Sequence, residues 1–271
     1  MSARPLRELS TVLTCFAFRE EYFPELNFML ATVKRHHPDW FVVVGRGVPT
    51  VSGVAKFDVE SPSGQCEWTL PIPLNLGGGE DDWRKITRMK SWWLEKVWHG
   101  FRELVNTPCN RIMWLDADAR LNAPLGFELD PEAEVIAGPW WFDPNDSRYD
   151  AITSGMLLFQ GTRHGPMAEI LKLWRQSCLQ EIENLVPSTV PWADGDQEVL
   201  TRVLAQSIET GLDFHILKLD HDEYVGIPTD KGEPRPGALV DHWMMSAKMG
   251  RKGWRGDDWP PPEHLRRVQD K

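Results

Sequence analysis

The chain has 271 residues, 41% of them hydrophobic and 26% charged, with a formal net charge of −10. These are the proportions of a soluble protein that can bury a substantial core. The acidic balance argues against an indiscriminate nucleic-acid binder, which needs Lys and Arg for phosphate contacts, although a local basic face stays open.

Fourteen tryptophans are an unusual number and offer flat surfaces for stacking on bases or sugars, with core packing as the ordinary use. The cysteines, Cys15, Cys66, Cys109 and Cys178, are scattered without a C-x-x-C pair. They read as reduced thiols of a cytoplasmic protein, with neither a zinc site nor a disulfide framework. No segment approaches the ~18 consecutive apolar residues of a membrane span. Arg4 and Arg7 precede the apolar run Thr11–Phe18, but that run is short, contains Thr14 and Cys15, and meets Arg19-Glu20-Glu21 without a small-residue cleavage site. A first β-strand fits it better than a signal peptide, and no membrane partner is expected.

From that strand onward, strand-like and helix-like segments alternate, which predicts an α/β fold: a mostly parallel sheet flanked by helices. Phe23, Leu26, Leu30 and Val33 give Tyr22–His37 a helical spacing that stops at Pro38. Trp40–Val44 is a strand closed by Gly45-Arg46-Gly47, and Ala55–Val59 a weaker one. Ser61 to Asp82 reads as irregular, with a flexible loop at Gly77-Gly78-Gly79-Glu80-Asp81-Asp82. A long helix follows over Trp83–Val105, then strands at Arg111–Leu115, Val135–Gly138 and Ile152–Phe159. Helices are predicted over Pro166–Leu185 and from Asp194 to about Ile208, and a late strand at Phe214–Leu219. The tail from Lys231 is rich in Gly, Pro and Trp. The simplest organisation is a single domain, 1–240, with a looser segment, 241–271, acting as its lid or tail.

The most informative stretch is Arg111-Ile112-Met113-Trp114-Leu115-Asp116-Ala117-Asp118. A short apolar run ends in two carboxylates, at the kind of strand end where open α/β sheets bind ligands. Two unpaired carboxylates repel each other, and a hard divalent cation, Mn²⁺ or Mg²⁺, is their natural partner. The plainer alternative is a loop in which one Asp caps a helix. Ser154-Gly155, inside an apolar strand, suits close approach of a ligand to the backbone, or a β-bulge. Asp194-Gly195-Asp196-Gln197 sets carboxylates at a helix start, where capping explains one Asp and a site facing a substrate explains the group.

In this order the motifs resemble nucleotide-sugar glycosyltransferases of the GT-A fold, especially those related to glycogenin and bacterial galactosyltransferases. The matching elements are Leu115-Asp116-Ala117-Asp118, Thr153-Ser154-Gly155-Met156-Leu157-Leu158-Phe159, Asp194-Gly195-Asp196-Gln197, and a late His242 followed by Lys248 and Gly253-Trp254. Two departures are visible: the family often has Asn where Ser154 stands, and its compact His-x-x-Gly-x-x-Lys-Pro-Trp tail is here stretched between His242 and Trp254.

The resemblance implies a Rossmann-like GT-A sheet and a metal held by Asp116, Asp118 and His242. Such a mixed oxygen and nitrogen shell favours Mn²⁺ over Mg²⁺. It implies donor contacts from Phe16 and Ala17 near the base, from Arg88 or Lys90, from Asp116, Ser154 and Gly155, and from Lys248 at the diphosphate. An inverting enzyme would use Asp196 or Asp194 as general base, whereas a retaining one would set Gln197 or Asp196 against the sugar. The donor implied is a nucleotide sugar, UDP-linked first. The acceptor is a saccharide or small molecule, with hydroxymethylated pyrimidines of phage DNA as a further candidate, since the Arg84–Lys90 and Lys248–Arg255 clusters sit among tryptophans. Two readings from other classes compete. A metal-dependent nucleotidyltransferase would normally carry a Gly-rich basic loop after the first strand, where Arg19-Glu20-Glu21 stands. A non-catalytic nucleotide-sugar-binding protein would bind without turnover.

Overall fold

The computed structural model describes residues 11–77, 81–105, 111–125, 133–139, 152–185, 195–219, 225–226, 237 and 239–242. The first strand, β1 (Thr11–Phe18), is buried at every residue, as a strand covered on both faces requires. It pairs in parallel with β2 (Phe41–Pro49) on one side and with β5 (Arg111–Leu115) on the other. An antiparallel meander extends from β2 through β3 (Val54–Ser61) to β4 (Gly64–Pro73). On the other flank lie β8 (Ile152–Gln160), β7 (Ala133–Pro139) and β9 (His215–Lys218), giving the order β4-β3-β2-β1-β5-β8-β7-β9. The pairs β1–β2, β1–β5 and β7–β9 are parallel and the others antiparallel. The sheet is therefore mixed, with its parallel heart at β2-β1-β5, rather than mostly parallel.

Strand β4 occupies part of the stretch expected to be irregular. Trp68 and Leu70 are buried while Glu67 and Thr69 are exposed, the alternation of a half-covered strand. Its prolines, Pro71 and Pro73, obscured that period. They are tolerated because β4 ends the sheet, where a missing N–H breaks no ladder.

The helices fall where the spacing predicts: α1 (Phe23–His36), α2 (Asp81–Val105), α3 (Pro166–Glu183) and α4 (Asp196–Glu209). Pro24 and Pro166 sit in first turns, where a missing N–H is harmless. Helix α2 buries Met89, Trp93, Leu94 and Val97. Its Trp93 indole N–H donates to Thr14 Oγ at 2.7 Å, and that hydroxyl donates to the Val43 carbonyl at 2.8 Å, tying α2 to β1 and β2. Phe16 packs edge-on against Phe57, Trp93 and Trp114, with centroids 5.1, 5.6 and 5.5 Å away. Such pairs contribute about 0.5–1.5 kcal/mol each beyond their buried area. The rings come this close because β2 carries glycines there. A Cβ at Gly45 would run into Trp93, and one at Gly47 into Phe57.

A second, three-stranded sheet was not predicted. It contains β6 (Ala119–Leu121), β11 (Val240–His242) and β10 (Val225–Gly226), in the order β10-β11-β6. Helix α1 and the residue that caps it hold β6 and the segment after it: Thr32 Oγ accepts from the Leu121 N–H at 3.2 Å, and His37 Nε2 accepts from the Leu125 N–H at 2.9 Å. Among the described residues no helix is long and apolar enough to cross a membrane.

Candidate active site

The Asp-x-Asp segment is the turn that joins the two sheets. Asp116 leaves β5 with its N–H donating to the Gly155 carbonyl at 2.9 Å, and the Ala119 N–H returns to the Asp116 carbonyl at 2.8 Å to open β6. In β6–β11 the facing residues are Ala119 and His242, Arg120 and Asp241, and Leu121 and Val240. The backbone of His242 thus lies opposite the residue that follows Asp118. The His242 side chain is outside the described residues, as are Asp194 and Lys248.

Lys90, buried in the middle of α2, is the centre of the site. Its ammonium lies 2.9 Å from Asp116 Oδ1 and 3.0 Å from Asp196 Oδ2. It also donates to the Ser154 carbonyl at 2.9 Å and to Ser154 Oγ at 3.0 Å. The Asp196 contact is an ion pair between two buried side chains. Burial alone would lower the proton affinity of Lys90; the Asp116 and Asp196 carboxylates outweigh it and hold the ammonium above the ordinary lysine value. Lys90, distant in sequence, thus brings a positive charge to Asp116 in the folded chain.

Trp114, two residues before Asp116 on β5, donates its indole N–H to Asp116 Oδ1 at 2.6 Å. The Lys90 ammonium lies 5.2 Å from the centre of a Trp114 ring. Asp118 stands in a second acidic locality. Burial, and then the charge of Asp118, push the Glu25 carboxyl up to about 7. Burial, and then Glu21 and Asp118, also raise the Tyr22 phenol.

At the start of α4 the cap residue is Gly195, with no side-chain cap. Asp196 is therefore the first helical residue rather than its cap, and its carbonyl accepts from the Trp174 indole at 3.0 Å. Gln197 is buried beside it and donates to Glu198 Oε1 at 3.2 Å. Burial is the main cause that raises the Glu198 carboxyl.

The fold thus gathers Lys90, Asp116, Ser154, Gly155 and Asp196, with Gln197 adjacent. Arg88 goes elsewhere: fully buried, it donates to Glu181 Oε2 on α3 at 2.6 Å. Phe16 and Ala17 are buried, Phe16 within the aromatic cluster beneath the turn. Around Ser154-Gly155 the β7–β8 register shifts between Ala137 and Pro139, so an irregularity and a close approach, that of Lys90, occur together.

Trp114, Glu25 and Glu198 were missed by sequence reasoning, and so was the role of β6–β11. Trp114 was legible, since side chains two apart share a strand face. Arg19, at the end of β1, holds φ 78°, a conformation that costs about 1–3 kcal/mol and collects at functional sites. Its N–H donates to the Gly47 carbonyl at 2.7 Å, and its guanidinium pairs with Asp82 at 3.1 Å.

No protein-family model matches the chain, and no curated protein sequence does. Among solved structures it is similar to a glycosyltransferase involved in the glycosylation of the major capsid of PBCV-1, at 14% identity and a TM-score of 0.53, over 96% of this chain and 99% of that one. It is also similar to the galactosyltransferase LgtC in complex with donor and acceptor sugar analogs, at 13% identity and a TM-score of 0.46, over 97% and 95% of the two chains. At such identities the likeness is one of fold: the chain has the α/β fold of the capsid-glycosylating enzyme along nearly its whole length.

Proposed function

We propose that the protein is a metal-dependent glycosyltransferase that moves a sugar from a nucleoside diphosphate donor, a UDP-sugar first, to an acceptor hydroxyl. The observation that carries this reading is the convergence of Asp116, Ser154 and Asp196 on one buried ammonium, beside the turn that leaves β5. The fold shared with a known glycosyltransferase supports it.

Among the described residues no three His, Cys, Asp or Glu side chains form a complete metal shell. The donor set still suits one. Asp116 and Asp118 offer oxygens, and the β6–β11 register sets the backbone of His242 opposite Ala119, the residue after Asp118. Asp118 and His242, with Asp116, would hold Mn²⁺ or Mg²⁺. A cation bound there supplies Lewis-acid charge to a departing diphosphate.

The remaining roles belong to the chain itself. Lys90 keeps two carboxylates together that would otherwise repel each other. Asp196, anchored by Trp174 and paired with Lys90, presents negative charge suited to the electron-poor anomeric carbon of an oxocarbenium-like transition state. That role fits retention, with Gln197 next to it; inversion would make Asp196 or Asp194 the base. The segment from residue 241 is proposed to cover the donor and to bring Lys248 to its phosphates. Because β11 pairs with β6, a truncation that tests this belongs after His242.

The test is a screen for release of UDP, GDP or TDP from a nucleotide-sugar panel with Mn²⁺. It is run with saccharides, small metabolites or hydroxymethylated DNA as acceptors. Release that depends on one donor, with a glycosylated product, is expected. Binding of nucleotide sugar without turnover on any acceptor, or without even slow hydrolysis, would favour the binding-protein reading.

A further inference from the structure

We infer that Trp114 is a positioning residue: its indole N–H, together with the Lys90 ammonium, grips one oxygen of Asp116 and fixes the carboxylate before a cation or nucleotide arrives. The inference rests on the reading of Asp116 as a ligand-binding residue.

The geometry comes from the strand period. Residues two apart lie on one face, so a side chain long enough to turn back along β5 can reach the carboxylate that ends it. Ile112, Met113 and Leu115 fill their sheet positions with apolar atoms alone. Trp114 is as buried, at 2% exposure, yet carries a donor that meets Asp116 Oδ1 at 2.6 Å, a short charge-assisted hydrogen bond. The same oxygen receives Lys90 at 2.9 Å. Lys90 is in turn steered by the Trp114 ring, 5.2 Å from its centroid, and the ring is held edge-on by Phe16 at 5.5 Å. The aromatic cluster and Lys90 thus bear on the direction of the Asp116 carboxylate from the side of β5 and α2. Groups that orient a metal-binding carboxylate in this way typically change metal affinity or activity by about 10–100-fold when removed.

The decisive variant replaces Trp114 with β-(3-benzothienyl)alanine, which keeps the ring's shape and substitutes sulfur for the N–H. Trp114→Phe accompanies it. Mn²⁺ affinity is read by electron paramagnetic resonance of the free ion, UDP binding with Mn²⁺ by calorimetry, and folding by the thermal midpoint. The analogue should melt within a few degrees of the unsubstituted chain and bind Mn²⁺ and UDP about 10–100-fold more weakly. Trp114→Phe should shift binding the same way with a larger loss of midpoint; if it fails to fold, the analogue alone decides. An analogue that binds both probes as tightly as the unsubstituted chain overturns the inference. An unsubstituted chain that binds neither probe overturns the reading of Asp116 beneath it, and the inference with it. The two failures are distinct because one is read on the unsubstituted chain and the other only on the variant.

Discussion

The Lys90 ammonium lies 2.9 Å from Asp116 Oδ1, so the first carboxylate of the Asp-x-Asp turn already has a positive partner in the folded chain. Asp196 shares that partner at 3.0 Å. One buried cation therefore couples the turn after β5 to the start of α4, two elements far apart in sequence. The arrangement divides the acidic site in two: Asp116 belongs with Lys90, while Asp118 lies towards Glu25 and α1.

Lys90→Met should be strongly destabilising. It retains the aliphatic volume but leaves the half-buried Asp116 and the buried Asp196 carboxylates without their shared counter-charge. Breaking a buried pair from one side costs about 3–5 kcal/mol. Chemical denaturation would measure the loss, and Lys90→Arg should recover part of it. A Met variant as stable as the parent would mean that these carboxylates are neutralised some other way.

Asp118→Asn should fold normally and lose nucleotide-sugar turnover, by about 100-fold or more if it removes a main electrostatic contact to the leaving group. Asp118 is only partly buried and sits in a turn, so the amide disturbs little packing. Turnover should also require a divalent ion, with Mn²⁺ at least as effective as Mg²⁺. Full activity in excess EDTA would remove the metal from the mechanism.

Asp196→Asn is a cleaner probe of chemistry than Asp196→Ala, since residue 196 is 3% exposed and truncation would open a cavity. The Asn variant should lower kcat by about 100-fold while leaving donor affinity within severalfold, because a group acting mainly in the transition state spares ground-state binding. Equal losses in kcat and affinity, with a lowered melting midpoint, would assign Asp196 a structural role through Lys90.

The α/β alternation and the strand ending in Asp116 were legible because buried strands and amphipathic helices write their periods directly into the sequence. What escaped was long-range. Nothing near Lys90 reveals that its charge is spent on Asp116, Asp196 and Ser154, while Arg88, two residues earlier, is turned to Glu181. Both are basic residues on a helix, and only tertiary packing separates their roles. The pairing of β6 with β11 was equally hidden, since three-residue strands have no measurable period. Strand β4 was missed because its edge position permits the prolines that local rules read as breakers.

His37 gives the last prediction, a pH dependence of stability seated behind the site. Its Nε2 accepts the Leu125 N–H at 2.9 Å, so the bond requires an unprotonated Nε2, and its ring stacks on Trp40 at 3.9 Å. Burial first, and then the neighbouring His36, lower its proton affinity below the ordinary value of 6.5; Asp39 opposes them without reversing the shift. Stacking of an imidazolium on Trp40 would offset part of the loss on protonation. For a histidine whose folded value is depressed, the unfolded chain binds the proton more readily. The stabilisation is therefore complete above about 6.5 and declines as pH falls through that value towards the folded one. Because the side chain is partly exposed, the effect should not exceed about 1 kcal/mol, the net worth of an ordinary hydrogen bond. His37→Phe keeps the stacking face and deletes the acceptor. It should be less stable than the parent at pH 8 and nearly equal to it at pH 5, as read from denaturation midpoints. A gap between the two proteins that stays constant across that range would show that His37 packs without titrating.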